Sequence, residues 1–127
     1  MADLIVDIDD RQLSRLFDRT KKGRSIINKH IVISLEKQAR LYKREVKKVT
    51  PVDTGRLKRG WRLAVQRRKQ TATVFNPVPY GIFVNDGTRF IKPRRFVERA
   101  LRTVRLPNAK ITKEELDKAM RKLFRIT

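Results

Sequence analysis

The most regular hydrophobic pattern in the chain is a stripe of apolar residues separated by three or four positions. Its members are Ile27, Ile31, Leu35, Ala39, Tyr42, Val46 and Val49. This spacing places them on one face of a helix that continues for more than six turns. Ser25 is suited to cap its start, and Thr50-Pro51 ends it because the residue before a proline disfavours helical backbone. The pattern therefore predicts one long helix.

Shorter patterns precede this helix. Leu4, Val6 and Ile8 alternate with their neighbours, which is weakly typical of a strand. A second helical stripe follows, for which Asp9 or Asp10 could serve as the cap and Gly23 as the stop. The members of that stripe are Leu13, Leu16 and Phe17.

The middle of the chain predicts a hairpin. Residues 61–68 alternate between apolar and polar side chains, and residues 71–75 are β-branched or aromatic. Joined across residues 67–70, the two runs fit an antiparallel pair of strands. The apolar segment 80–84, closed by a turn at 85–88, fits either a further strand or a helical turn.

Two more helices are predicted towards the end of the chain. The first begins near Pro93, and Pro107-Asn108 is expected to stop it. Its apolar residues are Phe96, Val97, Ala100, Leu101 and Val104. The last opens with Thr112 and Glu115, which have the spacing of a capping box. We expect its apolar face to pack on its own domain; that face contains Leu116, Ala119, Met120 and Leu123.

These elements, in the order ααβββα with a final helix, indicate an α+β fold. A long N-terminal helix would pack on a small antiparallel β-sheet, and further helices would follow at the C-terminus. We divide this single domain into an arm with a short helix (1–24), an α+β core (25–106) and a C-terminal helix (107–127).

Composition excludes several kinds of function. The chain has 127 residues, no cysteine and one histidine. Disulfides, thiol catalysis and cysteine-ligated zinc are therefore excluded. No apolar run approaches the roughly 18 residues that span a bilayer. The acidic N-terminus lacks the basic region of a signal peptide, so we expect no association with a membrane.

The charge is the strongest compositional feature. There are 33 Lys and Arg residues against 13 Asp and Glu, a net charge of +20. Such an excess suits a nucleic acid or acidic protein neighbours. Two basic clusters supply candidate residues for a protein interface or for contact with DNA. These candidates are Arg67, Arg68, Lys69, Arg89, Lys92, Arg94 and Arg95.

No constellation of residues points to catalysis. His30 lies within the long helix, away from any acid in the sequence, and is interpreted as a packing or surface residue. Asp53 and Asp86 each stand in a turn near glycine, where such side chains commonly bond their own backbone. No phosphate-binding glycine motif is present. We expect no enzymatic activity, no cofactor and no metal.

Three ordered segments resemble a known family. Residues 50–61, TPVDTGRLKRGW, are similar to the TPVDTGxLxxSW segment of the small tail-completion, or neck, proteins of long-tailed bacteriophages. Asn76 followed by PYGIFVNDGT at 79–88 resembles the N…YAxYVExGT motif of that family, and PRRFVERAL at 93–101 resembles its arPFlxxAl motif. The resemblance covers about residues 25–105.

The chain departs from the family pattern at three places. Gly60 stands where the family usually has serine, and Gly81 stands where it has alanine. Asn85-Asp86 replaces an acidic residue followed by an aromatic one. We expect these changes to affect local turns and to leave the architecture intact.

The motif residues also have physical roles as scaffold. Asp53 or Thr54 can cap a short turn that carries Leu57 and Trp61 into the core. Gly55 and Gly87 suit positive φ angles, and Tyr80, Phe83 and Phe96 supply aromatic packing. The full set of scaffold candidates is Pro51, Asp53, Thr54, Gly55, Leu57, Trp61, Tyr80, Gly87, Thr88, Pro93 and Phe96.

The resemblance implies a structural protein of the virion neck, assembled in the host cytoplasm. Its copies would form a homo-oligomeric ring, expected to have six subunits. The ring would join the head-completion (connector) proteins to the tail tube or tail terminator protein. Its channel would pass genomic DNA, with nonspecific contact to the basic clusters. The alternative, which depends on charge alone, is a basic nonspecific nucleic-acid-binding module.

Overall fold

The computed structural model describes residues 4–9, 21–52 and 55–126 and confirms the α+β class. Three strands and four helices are present in these ranges. In chain order they are β1 (Leu4–Asp9), α1 (Lys21–Val49), α2 (Arg56–Arg59), β2 (Arg62–Gln66), β3 (Thr71–Asn76), α3 (Gly81–Asp86) and α4 (Phe96–Ile126).

Helix α1 contains the predicted apolar stripe. Six of its seven members are buried, and Val49 is partly buried against them. The helix begins earlier than predicted, because Gly23 lies inside it and does not stop it. Gly23 is buried, and packing outweighs the roughly 1 kcal/mol by which a glycine weakens a helix. The predicted helix with Leu13, Leu16 and Phe17 lies outside the described residues.

The predicted hairpin is confirmed as β2 and β3. The third strand of the sheet is β1, so that β3 lies in the centre in the order β1-β3-β2, with both pairs antiparallel. Val74 of β3 lies opposite Val6 and Leu63. Alternate residues of β3, including Val74, are buried, and this face of the sheet packs on α1.

The segment at 80–84, for which the sequence allowed either a strand or a helical turn, is helical. Val84 N donates to Tyr80 O at 3.1 Å, and Gly87 N donates to Phe83 O at 2.8 Å. A strand at this position is therefore wrong, and the N-terminal segment supplies the third strand instead. Pattern alone did not separate these structures because the segment is short.

A single helix, α4, replaces the two predicted C-terminal helices. Pro107 lies inside it, so the predicted stop at Pro107-Asn108 is wrong. A proline removes one backbone hydrogen bond, but α4 is anchored in the hydrophobic core both before and after it, through the buried Val104 and Ala119. Thr112 and Glu115 therefore lie in the middle of α4 and do not form the predicted capping box.

Polar side chains join α1 to the second half of α4. The His30 Nδ1–H donates to Glu115 Oε2 at 2.9 Å, and Lys37 Nζ donates to Glu115 Oε1 at 2.5 Å. Gln38 Nε2 donates to Thr112 Oγ1 at 2.9 Å. The predicted packing of the C-terminal apolar face on its own domain is confirmed for Ala119, which is buried beside this polar seam.

The carboxyl group of Glu115 is held ionised. Burial alone raises its pKa, but hydrogen bonds from His30, Lys37 and Lys118 outweigh burial and lower the pKa from 4.5 to about 2. Because the pKa in the folded protein is below that in the unfolded chain, the carboxylate stabilises the fold above about pH 4.5. This contribution is lost as the pH falls towards 2.

We predict that Glu115→Gln lowers the free energy of unfolding at pH 7 and flattens its dependence on pH. The difference in the free energy of unfolding between the variant and the natural chain should become smaller below about pH 4.5. It should vanish near pH 2, where Glu115 itself becomes protonated. Urea unfolding across this pH range measures the effect. Glu114→Gln on the exposed side of α4 is the control, and identical acid profiles for the two variants would contradict the prediction.

Candidate functional site

The segment after α1 contains one short helix, α2. Gly55 precedes α2 with φ 81°, in the left-handed region that favours glycine. The single turn of α2 then buries Leu57, and Trp61 follows it into the core. The predicted role of this segment in carrying Leu57 and Trp61 inward is confirmed, whereas the caps at Asp53 and Thr54 lie outside the described residues.

Trp61 joins three parts of the fold. Its Nε1–H donates to Thr50 Oγ1 at 3.0 Å, and that hydroxyl donates to Val46 O at 2.5 Å. Its ring lies edge-on to Tyr42 of α1 and to Phe96 of α4, with centroids 6.5 and 6.4 Å away. We call Thr50, Trp61, Tyr42 and Phe96 the Trp61 junction. All four residues are buried.

A buried asparagine links α2 to the sheet. Asn76 Nδ2 donates to Leu57 O at 2.7 Å, and Asn76 Oδ1 accepts from Val78 N at 3.1 Å. In the sequence, Asn76 opens the second family motif, but no hydrogen bond was predicted for it. Its place at the end of a β-branched run, directly before a proline, was the available signal.

Gly60 lies directly against this asparagine. A Cβ atom there would be 2.6 Å from Asn76 Oδ1 and 2.7 Å from Val78 Cγ2. Its backbone, with φ −75° and ψ −9°, is open to any residue, so the requirement is for space. The glycine that replaces the family's serine therefore matches the packing around Asn76.

A second buried asparagine connects α3 to α4. Asn85 Oδ1 accepts from Val97 N at 3.0 Å, and Asn85 Nδ2 donates to Glu98 Oε1 at 3.2 Å. The side chain thereby occupies the first turn of α4, whose N–H groups have no partner within the helix. Gly87, with φ 78°, turns the chain away after α3, as predicted.

Of the three aromatic residues predicted to supply packing, one is buried and two are exposed. Phe96 is buried as expected, but Tyr80 is 38% exposed and Phe83 is 47% exposed. The prediction that these two supply core packing is wrong, because α3 turns them towards solvent. Tyr80 instead lies under the Arg56 guanidinium, 5.8 Å from the ring centroid. Pro93 is exposed and precedes α4 by three residues.

The two basic clusters lie at opposite ends of α1. The turn that holds Arg67, Arg68 and Lys69 adjoins the start of α1, where Gln70 Nε2 donates to Asn28 Oδ1 at 2.7 Å. Arg94 instead borders a surface cavity beside Pro51, at the other end. Helical rise separates Asn28 from Thr50 by about 33 Å.

The cluster after α3 is exposed throughout its length. Arg89, Lys92, Arg94 and Arg95 all have exposed side chains. Arg95 lies 3.9 Å from Asp86 and 3.8 Å from Glu98, in two loose ion pairs. The structure therefore does not gather the candidate cations into a single patch.

The His30–Glu115 pair was missed by the sequence analysis because 85 residues separate its members. A histidine on a carboxylate can act as a general base, but it must reach a substrate. Both residues are buried, and the cavity beside them has a volume of about 10 Å³. This space admits at most a water molecule, so the pair serves the packing of α1 on α4.

The described residues contain no group of three or more His, Asp or Glu side chains placed to hold a metal ion. None of the helices described has an apolar stretch long enough to cross a bilayer.

The Trp61 junction is buried in a small α+β fold, and the basic candidate residues are exposed on its surface. These features are typical of a structural scaffold domain. The family model described as "Bacteriophage HK97-gp10, putative tail-component" matches residues 11–87. Since this match covers more than half of the chain, the protein belongs to the HK97-gp10-like family of bacteriophage tail components. No curated protein and no solved structure matches it.

The matched residues cover the first of the three segments that carried the resemblance and all of the second except Thr88. The third, at 93–101, lies beyond Gly87, and its assignment to the family motif stays a prediction. A tail component has its place in the virion, and a structural role in the tail is consistent with the scaffold character of the junction.

We predict that Thr50→Val destabilises the protein by about 1–3 kcal/mol, because the buried Trp61 Nε1–H loses its acceptor. Trp61 is the only tryptophan, so its fluorescence during urea unfolding measures the change at that site. Thr103→Val is the matched control, since exposed Thr103 also donates to a helix carbonyl, Arg99 O at 3.0 Å. Equal losses in both variants would contradict the role of the indole hydrogen bond.

We predict that Gly60→Ser, which restores the usual family residue, also destabilises the protein, by about 1–3 kcal/mol from overpacking. Thermal unfolding measures the loss. In a Val78→Ala background the serine should cost less, because one of the two close neighbours has been shortened. A stable Gly60→Ser variant would show that Asn76 and Val78 can shift without cost.

Proposed function

We propose that this protein is a ring subunit of the phage neck, at the junction of head and tail. In this role its copies close into a ring, six in number, that joins the head-completion proteins to the tail tube or tail terminator protein. The ring leaves a channel for genomic DNA. Assembly takes place in the host cytoplasm, before the protein becomes part of the virion.

Family membership carries this proposal, and the structure is consistent with it. The motif residues Thr50, Leu57, Trp61, Asn76 and Phe96 are buried at the Trp61 junction and around Asn76, which suits a subunit whose work is to hold its shape. The basic side chains lie outside this framework and leave two ends of the molecule available for neighbours. A scaffold of this kind requires no catalytic residue and no cofactor.

The net positive charge of the chain indicates which molecules the subunit would bind. A subunit with a net charge of +20 binds acidic protein surfaces readily, and its encounters with them are steered by the electrostatic field. We therefore propose acidic faces on the adjoining neck or tail proteins as the first partners. Genomic DNA in the channel is the second.

The alternative function, a nonspecific nucleic-acid-binding module, depends on the same charge. The exposed cations at residues 67–69 favour it, because an exposed cationic turn can contact phosphates. Such binding weakens steeply with salt, since each neutralised phosphate releases counterions. Tight duplex binding at moderate salt, without incorporation into tails, would support this alternative and contradict the neck role.

We predict that replacing Arg67, Arg68 and Lys69 with glutamine reduces DNA delivery while particles still assemble, if this turn faces the channel. Particle counts by electron microscopy measure assembly, and the fraction of particles that deliver DNA measures the channel function.

The control for this variant removes three other exposed cations, Lys110, Lys113 and Lys122. It lowers the net charge equally but leaves the hairpin turn intact, so DNA delivery should persist. Failure of assembly in the first variant alone would assign residues 67–69 to a protein interface instead of the channel.

A further inference from the structure

Three arginine side chains border one surface cavity beside α2. This cavity, which we call the arginine cavity, has a volume of about 340 Å³, ample for a phosphate group. All three arginines are exposed, and the remaining wall is formed by small or apolar residues. The lining residues are Arg56, Arg59, Gly60, Arg62, Pro77 and Val78.

Two of the arginines are positioned by the surrounding backbone. Arg62 Nη1 donates to Arg59 O at 3.1 Å and to Trp61 O at 3.5 Å. The Arg59 guanidinium lies over Gly55, where an added Cβ atom would be 2.6 Å from Arg59 Nη1. Both acceptors of Arg62 are uncharged carbonyl groups, so these bonds direct the guanidinium without neutralising it.

No acidic residue of this part of the chain offsets the charge of Arg59 and Arg62. The sequence contains no Asp or Glu from residue 54 to residue 85. The ion pairs that join described residues engage other cations, namely His30, Lys37, Arg40, Arg44, Lys48, Arg95 and Lys118. An anion is therefore the complementary ligand, and a guanidinium can donate two parallel hydrogen bonds to phosphate oxygens.

The positive charge continues along the edge of the sheet. Strand β2 is an edge strand of the described sheet; Arg62 is its first residue, and Arg67 directly follows its last. Five residues of extended strand separate these two arginines by about 17 Å. The exposed side chains of β2 between them are Ala64 and Gln66. The edge thus has cations at both ends and no large apolar group between them.

This distribution favours duplex DNA over a protein as the source of the anion. A duplex presents a phosphate charge about every 1.7 Å along its axis, so it supplies anions to both ends of β2 at once. A protein interface instead needs a buried apolar centre, which Ala64 and Gln66 do not provide.

We propose that the arginine cavity binds a phosphate group of the DNA backbone through Arg59 and Arg62. The turn at residues 67–69 contacts the same duplex at the other end of β2. The inference rests on the proposed function in one respect, because the channel of the ring is where the protein would meet genomic DNA. It adds a defined phosphate site to the diffuse contact proposed there.

Fluorescence anisotropy of a labelled 20-base-pair duplex, titrated with the purified full-length chain at several salt concentrations, tests the proposal. The double variant Arg59→Gln/Arg62→Gln should bind about 10-fold more weakly at low salt. The slope of log Kd against log salt concentration should fall by about 1.8, the value for two lost phosphate contacts. The matched control, Arg102→Gln/Arg105→Gln on the exposed side of α4, removes the same charge and should keep the slope.

A charge-conserving variant separates a built site from general attraction. Arg59→Lys/Arg62→Lys keeps the net charge but loses the planar donor pairs, so it should also bind DNA more weakly than the natural chain. Pro77→Glu adds a carboxylate to the cavity wall and should weaken binding more than Leu106→Glu, which makes the same charge change at a residue that is 81% exposed on α4. Full affinity in the lysine variant would overturn the site.

Asp53 provides a further test, because it is the acidic residue nearest to Arg56 in the sequence and lies outside the described residues. Asp53→Asn should raise DNA affinity no more than Asp117→Asn, which removes an exposed acid from α4. A much larger gain at Asp53 would show that its carboxylate already occupies the cavity, and would overturn the proposal.

The outcomes distinguish this inference from the proposed function. Unchanged DNA binding by Arg59→Gln/Arg62→Gln would overturn the phosphate site, whether or not the protein enters tails. Loss of binding to polyglutamate but not to DNA in that variant would assign the cavity to an acidic protein and overturn the inference as well. Weakened DNA binding by a protein that is absent from virions would support the phosphate site and contradict the neck role.

Discussion

The hydrogen bond from the Trp61 indole to the hydroxyl of Thr50 fixes the point at which the end of α1, the residue after α2 and the start of α4 meet. A buried indole N–H without an acceptor is costly, so this bond fixes both the end of α1 and the depth of the tryptophan. Once Trp61 is placed, Tyr42 and Phe96 pack edge-on against its ring. Elements far apart in the sequence thus converge on a single side chain, and the position of α4 against α1 follows from it.

Two buried asparagines extend this arrangement to the outer elements. Asn76 ties α2 to the sheet, and Asn85 ties α3 to the start of α4. In each case the side-chain amide bonds backbone groups at a helix terminus or in a turn, so that its own polar atoms have partners although it is buried. The exposed loop at residues 88–95 is bound to α3, because Arg94 N donates to Val84 O and Arg95 N donates to Asn85 O. The position of α3 therefore also sets the position of this loop.

The hydrophobic pattern of neighbouring residues predicted the elements whose structure depends on that pattern alone. The apolar stripe of α1 and the alternation in β2 and β3 specify their elements directly, and Gly55 and Gly87 have the backbone angles that their turns require. The errors at Gly23 and Pro107 have a common cause, because tertiary packing sustains a helix through residues that would end it in isolation. The contact of His30 with Glu115 could not be read from the sequence, since it exists only after α4 folds back along α1. Tyr80 and Phe83 were misplaced because a strand and a helical turn direct the same residues to different sides.

The passage of α4 through Pro107 divides the contact between the two long helices into unlike parts. Before it, aromatic and aliphatic side chains such as Phe96 and Val104 meet the core; after it, the buried Ala119 lies beside the polar partners of Glu115. Proline also removes the backbone bond that would carry cooperativity from one part to the other. The second half of α4 is therefore held on α1 by contacts of its own, those of the buried Ala119 and of the polar partners of Glu115.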